Sequence, residues 1–375
     1  MSNPSQQLSK VLSEGPKIRD LIQMHDGELN LEVPQEVSRA TIDALINGHT
    51  GYCNLTGIDV LKNALIERCF QQHSKLCDPA EILVSNGSSQ ALFMLMKCIL
   101  SNADEVLIPN PCWPAYRSYI ELNGGIAVDY KMGNKGLDIV ELRKLVTLKT
   151  KALIINSPHN PTGLTLSRQD TLELMALSQE FGFLLISDEA YEGIIFGSGE
   201  YVSPLDLMAD SSLLVVTRTF SKLFSMSGFR IGYMFADRKI IDRCSTLQGV
   251  MTDNACTFAQ HGALAAIALP KSILKKRVDE LQHRAYYCHQ LLSTTFDIVR
   301  PQGGFFLFPD ISRVLGATWN SDTQFVDDLL NVKSVSTTPG SSYGMKDHIR
   351  ISIASVNEAE IKEACGRIID LVHHR

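Results

Sequence analysis

Short apolar runs rich in Ile, Leu and Val alternate along the chain with longer segments of helical period. EILVS (81–85) is followed by QALFMLMKCIL (90–100), and EVLIP (105–109) by the stretch after Pro114. KALIIN (151–156) precedes a helical pattern near 167–181, FLLISD (183–188) follows it, and LLVVT (213–217) comes next. Strands separated by helices indicate an α/β fold with a mostly parallel sheet covered on both faces. From 271 the texture changes to a long charged helical run, KSILKKRVDELQHRAYYCHQLL, then a strand at GGFFLFPD, a helix near 321–331, a strand at HIRISIA and a terminal helix. That pattern indicates a second, smaller α+β domain. The expected division is 40–270 for the large domain and 1–39 plus 271–375 for the small one, with a ligand cleft between them.

Composition narrows the function classes. The 375 residues, 45% hydrophobic and 20% charged, suffice for a large core. A net charge of -6 with no run of Lys or Arg argues against a nucleic-acid partner. No apolar stretch approaches the roughly 20 residues of a membrane span, and MSNPSQQLSK lacks the apolar core of a secretory signal. A cytoplasmic protein is expected. Nine cysteines without a CxxC pair read as reduced thiols. Ten histidines without HExxH or a Cys/His cluster give no reason to expect a metal.

In an open α/β sheet, ligands sit beyond the carboxyl ends of the strands, and those ends are polar here. Gly87, Ser88 and Ser89 follow the first strand and can offer N–H groups and hydroxyls to an anion, or serve as an ordinary helix cap. Trp113, between two prolines, can stack on a flat ring or simply fill a core. Asn160 lies between Pro158 and Pro161 in a turn, with an amide that a ligand or the turn itself can use. Asp188 and Tyr191 close the fourth strand, where a buried acid needs a partner unless it is a cap. The fifth delivers Thr219, Ser221 and Lys222, with Arg230 following, a side chain suited to grip a phosphate unless it is merely solvated. Lys222 lies among Phe220, Leu223, Phe224 and Met226, and shielding an amine from water makes it reactive.

Separately weak, these residues together describe one ligand, pyridoxal 5'-phosphate (PLP). Gly87, Ser88, Ser89, Thr219, Ser221 and Arg230 would take its phosphate, and Trp113 its ring. Asp188 would take its ring nitrogen, Asn160 and Tyr191 its phenolic oxygen, and Lys222 its aldehyde.

Seven motifs in order carry a family resemblance: Tyr52-x4-Gly57, SNGSSQAL, PCWPAY, NSPHNPTG, SDEAY, TFSK with GFRIGY, and RIS near the end. The chain resembles the class I/II aminotransferases of the aspartate aminotransferase fold type over nearly its whole length. The resemblance implies a seven-stranded sheet and an amino group moved from an amino acid to a 2-oxo acid. It also implies that Lys222 bonds to the cofactor and Arg350 binds the substrate α-carboxylate. A homodimer follows, in which Tyr52 reaches the neighbouring subunit's phosphate. In HIRISIA, the alternation of His348, Arg350 and Ser352 with isoleucines sets Arg350 on one polar face. DGELNLEVP resembles the family's GEPDFxTP segment and makes Gly27 a substrate-approach residue, although Leu29 and Asn30 replace Pro and Asp.

Proximity drives the expected mechanism: the freed Lys222 amine, held beside the donor's α-carbon, removes its proton. Ser89 stands where some aspartate-specific bacterial relatives carry a lysine, and the arm before Gly27 looks shorter than usual. Both favour an apolar or aromatic donor over a dicarboxylate, with glutamate or 2-oxoglutarate as exchange partner. A cystathionine β-lyase-like C–S lyase, or other carbanion chemistry on the same fold, is the alternative. A transcription regulator would need a helix-turn-helix before the Tyr52 motif, and a nicotinamide dehydrogenase a GxGxxG that SNGSSQ does not provide.

Overall fold

A run such as ALII (152–155) has no polar side chain to turn toward water, so it suits a strand whose two faces are both covered. In the computed structural model, which describes residues 18–75, 77–133, 136–197, 201–207, 212–316 and 318–373, such runs form the interior of an eight-stranded sheet. In chain order the strands are β1 (Ile22–Gln23), β2 (Ile82–Ser85), β3 (Glu105–Asn110), β4 (Ile126–Gly133), β5 (Gly136–Leu137), β6 (Thr150–Asn156), β7 (Leu184–Asp188), β8 (Leu214–Thr219), β9 (Gly232–Phe235), β10 (Phe306–Leu307), β11 (Val335–Ser336), β12 (Thr338–Pro339) and β13 (Ile349–Ser352). The helices are α1 (Gln35–Ile46), α2 (Asp59–His73), α3 (Ser88–Ile99), α4 (Ala115–Leu122), α5 (Ile139–Leu145), α6 (Arg168–Phe181), α7 (Arg238–Met251), α8 (Thr257–Ile267), α9 (Lys271–Leu292), α10 (Asp322–Lys333) and α11 (Glu358–His373).

The large sheet has the order β2-β9-β8-β7-β6-β3-β4-β5. Strands β3, β4, β6, β7 and β8 pair in parallel, whereas β9 runs antiparallel to both β2 and β8. Strand β2 therefore points the same way as the parallel set. The expected seven strands are present, and the two-residue β5 adds an eighth by folding back on β4. Two of the seven, β4 and β9, are not among the apolar runs: IAVDYKMG alternates charge with apolar residues near the sheet edge, and GYMF overlaps the GFRIGY motif.

Successive residues of each strand enter opposite cores, as the strand period demands. Leu83, Ile154, Ile186 and Val215 pack beneath α3, α4 and α7. Val84, Ile155, Leu185 and Val216 pack with α2, α6 and α8 on the other face. Helix α6 starts in a reciprocal capping box between Ser167 and Asp170 and stops at Gly182 in the left-handed region.

The remaining strands form two small sheets. Strands β10, β13 and β12 are antiparallel, and β1 pairs in parallel with β11, so the N-terminal strand joins the C-terminal part of the chain. GGFFLFPD yields only the two residues of β10 as strand. Helix α9 covers the charged run from 271 and packs on α11. The expected boundary at 39/40 falls inside α1, which packs on α8, and the boundary at 270/271 falls where α9 begins.

Beside the sheet lies a fully buried ion pair, Arg218 (2% exposed) with Glu189 (1%), at 2.7 Å. Ser187 and Ser203 hydroxyls also donate to Glu189, and the same terminal nitrogen of Arg218 lies 2.8 Å from the His73 ring nitrogen of α2. Removing one partner leaves an uncompensated buried charge, so Arg218→Met is expected to lower the unfolding free energy by about 3–5 kcal/mol. Adding Glu189→Gln should restore part of the loss in urea denaturation. A single-variant cost below about 1 kcal/mol would refute this assignment.

Candidate active site

The chain leaves β3 toward β4 on one side of the sheet, and leaves β6 toward β7 and β8 on the other. Loops that part in this way open a crevice at the carboxyl ends of the strands. A cavity of about 520 Å³ lies there. Its walls include Ser88, Ser89, Trp113, Asn160, Asp188, Tyr191, Thr219, Ser221, Lys222 and Arg230 from the strand ends, and Gly27 and Arg350 from the segments around the small sheets. Gly87 stands just behind Arg230. Tyr52 does not reach the cavity of its own chain, being 86% exposed on the surface.

Lys222 follows β8, and its amine donates to the Gly27 carbonyl at 2.7 Å. Loss of water is the main reason its ammonium form is disfavoured, the Arg350 guanidinium adds to it, and Asp26 opposes it. The result is a lysine pushed down to about 8.

Asp188 is the last residue of β7 and is buried. Tyr116 of α4 donates to one carboxylate oxygen at 2.5 Å and Thr217 of β8 to the other at 3.3 Å. Burial nevertheless pushes the acid up to about 6, against the pull of those hydrogen bonds. Asn156 steadies the same strand end by donating to the Asp188 carbonyl at 2.8 Å. Tyr116 lies within PCWPAY, yet sequence reasoning gave it no role. The signal was an acid leaving an apolar strand, which requires a donor nearby.

Arg350 belongs to β13, all four residues of which are buried. Arg350 therefore turns into the cavity wall and not toward solvent. Its guanidinium carbon sits 4.2 Å from the Phe306 ring centre and 4.9 Å from that of Tyr343. One terminal nitrogen donates to Asn160 at 3.2 Å and the other to the His25 carbonyl at 2.5 Å. The buried Nε has no partner among the described residues. Asn160 is oriented through its own N–H, which donates to Asn156 Oδ1 at 2.8 Å. The Trp113 ring is wedged edge-on between Tyr116 and Tyr119.

The other end of the cavity is built to hold an anion. Helix α3 begins at Ser88, and among the described residues no side chain caps it. Gly87 has φ +79°, and a Cβ there would fall 2.5 Å from the Arg230 guanidinium. A Cβ on Gly232 would fall 2.4 Å from the Ser88 nitrogen. Open N–H groups, a helix dipole and a guanidinium thus converge where any side chain would intrude.

A family model described as aminotransferase class I and II matches residues 19–368. The chain belongs to the class I and II aminotransferases. It is 34% identical over 359 residues to a probable aspartate/prephenate aminotransferase of Aquifex aeolicus, covering 93% of this chain and 90% of that one. It is 33% identical to an aspartate aminotransferase of Bacillus sp. strain YM-2, covering 93% and 91%. The crystal structure of Thermotoga maritima aspartate aminotransferase superposes with TM-score 0.92 at 30% identity, covering 99% of this chain and 97% of that one. An aromatic aminotransferase from Pyrococcus horikoshii gives 0.91 at 30%, covering 97% and 99%. The chain is accordingly a PLP-dependent aminotransferase, and the C–S lyase alternative finds no support in these matches.

The cavity of this aminotransferase fits that cofactor. The uncapped helix and glycine cradle suit a phosphate, the depressed Lys222 suits an aldehyde, and Asp188 is a buried acid on the same wall. In PLP-free protein, acylation of Lys222 should rise with pH to a midpoint near 8, well below the ordinary lysine value of 10.5. Arg350→Gln should move that midpoint up, because it removes a cation that disfavours the ammonium. Peptide mapping after pulsed labelling measures both, and a wild-type midpoint at the ordinary value would contradict the desolvated amine.

Proposed function

We propose that this aminotransferase moves the α-amino group of an amino acid to a 2-oxo acid with Lys222 as the proton carrier. The observation that carries the proposal is a desolvated amine held by the Gly27 carbonyl, on the same cavity wall as Asp188 and Arg350. PLP, when bound, supplies an aldehyde and a cationic ring that takes up the electron pair left as the donor's α-proton departs. Lys222, Asp188 and Tyr191 are the catalytic residues of this reading. Lys222 would hold the cofactor through its aldehyde, and the Lys222 amine, when free, would take the α-proton. A lysine near 8 is basic enough to accept that proton and neutral often enough to do so close to physiological pH.

Asp188, kept in place by Tyr116 and Thr217, would hold the proton on the ring nitrogen. Tyr191 and Asn160 would hydrogen-bond the phenolic oxygen, and Trp113 would lie against the ring. Gly87, Ser88, Ser89, Thr219, Ser221 and Arg230 would hold the phosphate. Arg350 would grip the α-carboxylate beside Asn160, and Gly27 leaves room for the substrate at the backbone. Such a grip uses the bidentate geometry at which a guanidinium excels.

Tyr52 supports a homodimer in which it completes the partner's phosphate site. It is exposed, as are Leu55, Val250 and Met251, and the Leu55 carbonyl accepts a hydrogen bond from Gln248 of α7. Residues 40–270 would form the large PLP-binding domain, and 1–39 with 271–375 the small one. All nine cysteines are free, which supports a reducing, cytoplasmic setting. No helix among the described residues is long and apolar enough to cross a membrane.

Aspartate, named for the Aquifex and Bacillus relatives, is not the donor we favour. Ser89 offers its cavity a hydroxyl, and the lining cations Lys222, Arg230 and Arg350 already have tasks. Lys222→Ala is expected to keep the wild-type circular dichroism while transamination falls by at least about 10²–10⁴-fold. Arg350→Gln should raise KM for amino acids about tenfold or more through loss of a charge-assisted contact. Near wild-type turnover in the first variant would remove Lys222 from the reaction.

A further inference from the structure

The two acids on the cavity wall are unequally provided for. Asp188 has Tyr116 and Thr217. Asp26, half-buried, has only the adjoining backbone: one carboxylate oxygen accepts from the Gly27 N–H at 2.6 Å, and among the described residues it forms no ion pair. The neighbouring His25 ring is bonded to the Ser336 hydroxyl, and burial favours its neutral form, so it does not supply the missing cation. Glu28, two positions on, faces away from this role because its carboxyl takes the Ser227 hydroxyl.

The position of Asp26 is not a loop accident. Two backbone hydrogen bonds pin Met24, two positions before it, from the Met24 N–H to the Ser336 carbonyl and from the Ser352 N–H to the Met24 carbonyl, at 2.9 and 2.8 Å. The residue after Asp26 carries the carbonyl that receives Lys222. A carboxylate is thus held rigidly beside the reacting amine, facing the space where a substrate sits. Its charge acts on Lys222, which forms no ion pair with it among the described residues and would be committed to the cofactor, so the carboxylate has no dedicated counter-ion until another cation arrives.

We propose that Asp26 is a specificity-determining residue whose free carboxylate oxygen receives the cationic end of the donor's side chain, so that the donors are amino acids bearing a side-chain ammonium or guanidinium. This rests on the aminotransfer reading above and replaces the apolar or aromatic donor expected from the sequence. A dicarboxylate would set like charges against each other at the same point.

Donors matched in shape and different in charge test it: arginine against citrulline, and ornithine against norleucine. With PLP-loaded wild type and Asp26→Asn, each donor's conversion of the cofactor to its pyridoxamine form is followed by absorbance. Wild type should prefer the cationic member in kcat/KM by roughly ten- to hundredfold, the effect of one charge-assisted hydrogen bond. Asp26→Asn should bring the ratio close to one. Comparing ratios within each protein cancels any general loss from the substitution. Equal rates for both members in wild type, or a preference that survives in Asp26→Asn, would overturn the role of Asp26 while leaving aminotransfer intact. No conversion by any amino acid, these four and aspartate included, would overturn the aminotransfer reading and the specificity with it.

Discussion

Exclusion of water from the Lys222 amine is the constraint on which the site depends. An ammonium in bulk water is a poor base and a poor nucleophile at neutral pH, and only a site that penalises its charge changes this. The chain imposes the penalty in two ways. Apolar residues on both sides of Lys222 bring the end of β8 into the core, and Arg350 arrives from β13 as a second cation. Gly27 then holds the amine through a carbonyl, which accepts a hydrogen bond and adds no opposing charge.

The same economy governs Asp188. Its acid is buried deeply enough to rise toward neutral pH, and hydrogen bonds from Tyr116 and Thr217 limit that rise. A carboxylate so placed is ready for a cationic partner and unfavourable without one. The cavity therefore presents an under-charged base at one point, an acid awaiting a cation at another, and an uncapped helix awaiting an anion at a third. Charge complementarity with a phosphorylated, zwitterionic cofactor follows from these three deficits more than from any single contact.

Much of this was legible in the sequence because both faces of the central strands are covered. Continuous apolar runs betray β2, β3, β6, β7 and β8, and the residues that follow them line the cavity. Strands β4 and β9 escaped because one alternates with charge and the other overlaps the GFRIGY motif and does not stand as a separate apolar run. Pairings across the chain were not legible: Tyr116 and Asp188 are 72 positions apart, and nothing local in either segment names the other. Arg350 was found through the RIS motif of the family resemblance, with the alternation placing it on one face of a strand, yet its burial against Phe306 and Tyr343 comes from tertiary packing. Asp26 was hidden for a different reason. It lies in the segment that departs most from the family pattern, where attention went to Gly27.

The most direct measurement is borohydride reduction of the PLP-loaded protein followed by peptide mass spectrometry. A phosphopyridoxyl group confined to the peptide containing Lys222 is the expected result. No adduct there, or one on a different lysine, would contradict the assignment of the desolvated amine as the cofactor's anchor.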